Sequence, residues 1–205
     1  MIRTDIGHVQ IELGDSVYSL IPSFANISKI DSPKQIVTYF QDVNQPDLFG
    51  NPAFSFARAC RILNACGLPD SVTGGITFSQ RKNKAMMYQG KIPVHDVFVL
   101  AAHCLKHGIV GVHNDSKKNS KAEPITEFNA SKYMQLARKI LGCTISEAAQ
   151  MTMTEFVMLA DAEIEIEKES NGEELPEIGL EKQQSAFAAF EARQKEKLRQ
   201  GKLNG

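Results

Sequence analysis

His103 and His107 stand four residues apart, a spacing that places two imidazoles on one face of a helix, where Cys60 and Cys66 could join them around a zinc ion. The two cysteines, however, lack close C-x-x-C spacing. His107 falls beside an expected helix end, where an imidazole can serve the last carbonyls, and Cys104 lies on the apolar stripe of the same helix. These residues are read as structural and no metal site is expected. A second cluster, Arg81, Lys82, Lys84 and Lys91, has Phe78 and Tyr88 nearby, the combination that grips phosphates and stacks bases. A formal net charge of −1 over 205 residues gives it no wider basic field. It reads as the solvated tip of a hairpin, and no nucleic-acid partner is expected.

The sequence has no phosphate-cradling Gly-Lys-Ser/Thr loop, no Gly-x-Gly-x-x-Gly after a strand, no Gly-x-Ser-x-Gly elbow and no His-Glu-x-x-His pair. No catalytic residue and no cofactor is assigned, and the chain is not read as an enzyme. Hydrophobic residues make up 42%, enough for a core. The apolar runs, such as residues 97–102, fall far short of the roughly 20 needed to cross a bilayer, and the start shows no signal-peptide pattern. Four scattered cysteines give no disulfide framework, so reduced thiols in a cytoplasmic setting, without a membrane partner, are expected.

The elements that must position any site are mostly helical in period. Val9-Gln10-Ile11-Glu12-Leu13 and Ser16-Val17-Tyr18-Ser19-Leu20 alternate about Gly14-Asp15 and predict a hairpin. Ser23 can cap a short helix carrying Phe24, Ile27 and Ile30. Ser32, Pro33 and Gln35 spell a capping box for a helix to about Val43. After a loop at 44–51, residues 52–66 carry Phe56, Ala59, Cys60 and Leu63 on one face, stopped by Gly67 and Pro69. Gly74-Gly75 opens a second hairpin, Ile76-Thr77-Phe78 with residues 85–88. Pro93 starts a central core helix with Val94, Val97, Phe98, Ala101, Cys104 and Leu105, expected to end at Gly108.

Residues 116–124 have nothing to bury and divide the chain. Beyond them come a helix carrying Tyr133, Met134, Ala137, Ile140 and Leu141, stopped by Gly142, and two further capping boxes, Thr144 with Glu147 and Thr152 with Glu155. The second opens a helix carrying Phe156, Leu159, Ala160 and Ile164. The expected class is α+β, predominantly α-helical, with an N-terminal β-hairpin, a helical bundle and a C-terminal helix. The expected divisions are a hairpin and helical body at 1–115, a linker or exposed loop at 116–126, a helical subdomain at 127–170, a hinge at 171–180, and a charged helix and tail at 181–205.

On that last segment Leu180, Phe187, Phe190 and Leu198 form a narrow stripe, either tucked onto the body or presented to a partner, and are the candidate partner-binding residues. Lys182, Arg193, Lys195, Lys197 and Arg199 surround it, and residues 161–177 are acidic, so the two stretches attract across Asn171-Gly172. Self-association is left open.

The order of these features resembles that of tail assembly chaperones of long-tailed bacteriophages. The residues that carry the likeness are the hairpin from Val9 to Leu20, Pro22-Ser23-Phe24, and the helix of Ile36-Val37-Thr38-Tyr39-Phe40. Ile92-Pro93-Val94-His95-Asp96-Val97, Leu105-Lys106-His107-Gly108-Ile109-Val110-Gly111, Ala137-Arg138-Lys139-Ile140-Leu141-Gly142 and Met151-Thr152-Met153-Thr154-Glu155-Phe156 continue it. The departures are the 44–51 loop, the Gly74-Gly75 hairpin and the acidic hinge. The resemblance implies binding to a tape-measure protein and recruitment of tail-tube subunits in the host cytoplasm, absence from the mature virion, and no catalytic residues. The rival expectation is a structural virion component such as a connector or tail-completion protein.

Overall fold

In the computed structural model, which describes residues 3–44, 52–79, 84–112 and 126–171, the alternation around Gly14-Asp15 becomes an antiparallel hairpin of β1 (Val9–Leu13) and β2 (Ser16–Leu20) with Ile11 opposite Tyr18. Ser23 then caps α1 (Phe24–Ile27), its hydroxyl accepting from the Asn26 amide at 3.3 Å. Two further helices, α2 (Pro33–Asn44) and α3 (Pro52–Cys66), pack together, and a short α4 (Asp70–Thr73) leads into a second antiparallel hairpin, β3 (Gly74–Ser79) and β4 (Lys84–Gln89). The central helix α5 (Val94–Leu105) lies against α2 and α3. Next come α6 (Ala130–Leu141), α7 (Ile145–Gln150) and α8 (Met153–Asn171). The protein is therefore α+β and predominantly helical, with the N-terminal hairpin in place.

The core is one continuous cluster that runs from Leu20 to Ala160. Its densest part is an aromatic nest. Phe24 stacks on Tyr133 with ring centroids 5.8 Å apart, Phe128 stacks on the same tyrosine at 5.2 Å, and Phe156 meets Phe24 edge-on at 6.1 Å. Such offset and edge contacts add to the gain from burial alone. The Phe24 amide donates to the Met151 carbonyl at 2.9 Å, and Ser23 bridges Thr152, so the Pro22-Ser23-Phe24 stretch is joined directly to the start of α8. Burial in this nest raises the Tyr133 hydroxyl pKa.

Between α2 and α3 the contact is partly ionic. Buried Asp42 pairs with Arg58, whose guanidinium lies 5.2 Å over the Tyr39 ring, while the Tyr39 hydroxyl donates to Asp31 at 2.8 Å. A carboxylate at that depth is tolerated because a fixed cation and its hydrogen bonds accompany it.

Two local expectations are corrected. The central helix does not stop at Gly108: it widens into a π-helical turn, Lys106–Val110, in which Gly108 is buried. A Cβ there would lie 2.7 Å from Ile27 Cδ1, so this glycine serves close packing against α1 and not termination. Of the two late capping boxes, only Thr144 with Glu147 is reciprocal, with amide-to-side-chain bonds of 3.2 and 2.8 Å. At Thr152 the hydroxyl accepts from the Glu155 amide at 3.1 Å, but the Glu155 carboxylate is drawn away to Arg3 at 2.6 Å.

Replacing Phe24 with alanine removes a fully buried ring from the centre of the nest. Destabilisation of about 3–5 kcal/mol is expected, read as a shift in the urea unfolding midpoint, and a change below about 1 kcal/mol would contradict this packing.

Candidate protein-binding surface

The β3–β4 hairpin pairs Ile76 with Met87 and Phe78 with Ala85 on one face, and Gly75 with Tyr88 and Thr77 with Met86 on the other. Alternation across a pleat would ordinarily give one apolar and one polar face. Here both faces carry large apolar groups, exposed at 63% for Phe78, 47% for Tyr88, 44% for Met86, 42% for Met87 and 37% for Ile76. The Tyr88 ring lies across Gly75, filling the gap left by the missing side chain. Among the described residues the sheet has two strands, and no third strand pairs with either outer edge. The root of the hairpin is held by packing of β3 and β4 on α3. Such a concentration of exposed apolar surface on one element makes the hairpin the candidate binding surface.

Arg81 and Lys82, the expected basic tip, lie outside the described residues, while Lys91 is exposed beyond β4. Leu180, Phe187, Phe190 and Leu198, the partner-binding residues expected from sequence, also lie outside the described residues. In the sequence Phe78 and Tyr88 stand out as strand residues and as neighbours of lysines, not as an apolar binding surface. The signal that could have singled them out was the unbroken apolar run Ala85-Met86-Met87-Tyr88 in β4, which puts apolar groups on both faces.

The histidines do different work. His103 Nε2 lies 3.0 Å from the Gly7 carbonyl, and His107 Nδ1 lies 2.9 Å from Thr154 Oγ1. Thr154 Oγ1 also accepts from the Val112 amide at 3.1 Å, so one hydroxyl ties both His107 and the chain after the π-helical turn to α8. The expected contact of His107 with the last carbonyls of its helix is replaced by this link to α8. Cys60 lies apart, its thiol 3.7 Å from the Thr73 carbonyl, and burial pushes that thiol up to about 11. Cys66 pairs instead with buried Cys104. Among the described residues no three His, Cys, Asp or Glu side chains converge as a metal would require.

These histidines belong to a clasp that holds the N-terminal segment against α5 and α8. The Thr152 hydroxyl donates to the Ile6 carbonyl at 2.8 Å, and Arg3 pairs with Glu155. Gly7, at φ +88°, packs so closely that a Cβ would overlap the His107 ring. An open cleft of about 410 Å³ beside the clasp is lined by Arg3, His8, Gln150 and Glu155 among others. Burial holds His8 below its ordinary value, Glu155 and Asp5 opposing and Arg3 adding to the shift.

Burial, then the charges of His103 and Lys106, lowers His107 to about 4 from 6.5. The folded chain thus binds fewer protons here than the unfolded chain between those values. The stability contributed by neutral His107 is present above about pH 6.5 and drains away as pH falls toward 4. Thermal unfolding followed from pH 7.5 to 4.5 should show this loss, and His107→Gln should flatten the profile; a parallel profile would refute the assignment. Gly7→Ala, strained in backbone and blocked by His107, should cost at least about 1–3 kcal/mol in the same assay.

No helix among the described residues is long and apolar enough to cross a membrane. No curated protein and no solved structure matches the chain. The model of one family, described as a family of unknown function (DUF6246), matches residues 49–176, from just before α3 to beyond α8. That span is well over half the chain and includes the exposed hairpin, the histidine pair and most of the aromatic nest, and the protein belongs to this family of unknown function, DUF6246.

Proposed function

We propose that the protein is a non-catalytic holding factor of the tail assembly chaperone kind, which binds amphipathic helices of a tape-measure protein and helps recruit tail-tube subunits. The observation that carries this reading is the β3–β4 hairpin, apolar and exposed on both faces. Ile76, Phe78 and Met87 offer one face to a client's apolar stripe, and Met86 with Tyr88 offers the other. Burying each such side chain fully contributes about 1.5–3 kcal/mol, so two or three suffice for reversible capture without any nucleotide. Release then follows when assembly contacts bury the same client surface more completely. The order of elements that resembles those chaperones adds support, and the factor acts in the host cytoplasm and leaves before the virion is complete.

Co-expression with a tape-measure protein followed by pull-down tests the reading. The wild-type chain should retain the client, and Phe78→Ser with Met87→Ser should weaken retention by roughly tenfold or more with the unfolding temperature little changed. Equal retention by the variant would remove the hairpin from the binding surface. Stoichiometric protein in purified particles would favour a structural virion component instead.

A further inference from the structure

α8 is apolar on two opposite sides. Met153, Phe156, Val157 and Ala160 are buried against the body, while Met158, Leu159 and Ile166 are exposed at 44%, 43% and 60%. At about 100° per residue, Leu159, Ala162 and Ile166 follow one another at i, i+3 and i+7, and Met158 lies one turn before Ala162. The four make a single outward stripe facing away from the core. A helix with apolar residues on both sides is suited to being covered on both. The stripe runs through acidic sequence: Asp161, Glu163, Glu165, Glu167 and Glu169, with Lys168 the one base among them.

We propose that residues 181–200 of the same chain cover this stripe as an antiparallel helix, seating Phe187 and Phe190 beside Ile166 and Ala162. Charge selects this occupant. Lys182, Arg193, Lys195, Lys197 and Arg199 outnumber Glu181, Glu191 and Glu196 in the segment, whereas α8 from a second copy would bring two acidic flanks together. Length permits it as well. Residues 172–180, containing Gly172, Pro176 and Gly179, suffice to reverse the chain, and a 20-residue helix of about 30 Å matches the reach of α8. Counting back from that reversal sets Phe187 and Phe190 within a turn of Ile166 and Ala162, and Leu180 and Leu198 extend the same stripe. The cover goes beyond the client reading and does not depend on it: it keeps α8 from exposing apolar surface when no partner is present.

Hydrogen exchange of the full chain, without client and read by mass spectrometry, tests the cover. Amides of 181–200 should exchange at least roughly tenfold more slowly than an unstructured peptide of that sequence. That protection should vanish in Leu159→Ser with Ile166→Ser, and equally in Phe187→Ser with Phe190→Ser, while protection of α3 and α5 persists. Free exchange of the segment in the wild type would overturn the proposal, as would protection that survives the α8 substitutions. Protection lost on dilution would also overturn it, placing the contact between copies. Because no client is present, failure here leaves the hairpin reading intact, and failure of the pull-down leaves the cover intact.

Discussion

The junction between Ser23-Phe24 and Met151-Thr152 is the constraint on which the rest depends. One backbone bond of 2.9 Å and one bridge join stretches far apart in sequence, and they do so where Phe24, Phe128, Tyr133 and Phe156 close into a single nest. Closing so long a loop is entropically costly, and the buried aromatics offset that cost. Once the junction forms, α8 is aimed past the end of α5, and Thr152 and Thr154 are set to receive Ile6, His107 and Val112. The N-terminal clasp is thus a consequence of the nest.

This arrangement separates holding from offering. Two of the segments that carry the likeness to phage tail chaperones, Pro22-Ser23-Phe24 and Met151 to Phe156, serve mostly the interior. Large exposed apolar groups gather instead on the β3–β4 hairpin, rooted on α3, and on the outer side of α8. On the proposed reading that division is useful, because a surface that captures and releases apolar helices can do so without loosening the core.

Polar groups near the core follow the same economy. Buried Asp42 is paired with Arg58, whereas His107 Nδ1 lies 2.9 Å from the neutral hydroxyl of Thr154. The difference is in the surroundings: a guanidinium stabilises an anion at depth, whereas burial, with His103 and Lys106 adjacent, disfavours an imidazolium. The His107 contribution to the clasp is accordingly lost as pH falls from about 6.5 toward 4.

Sequence by itself determined the elements. Alternation about Gly14-Asp15, the Ser23 cap, the stripe of α5, the Thr144–Glu147 box and the stop at Gly142 all act within a few residues of where they are written, so their periods and capping groups are legible without a fold. Only the tertiary structure decided what those residues were for. Gly108 reads as a terminator until Ile27 is packed against it, and Glu155 as the second half of a capping box until Arg3 arrives beside it. The helical spacing of His103 and His107 is that of a ligand pair, yet their partners Gly7 and Thr154 come from distant chain. The apolar hairpin was legible as strands but not as a surface, because exposure depends on what fails to pack over a residue, and neighbours in sequence do not reveal that.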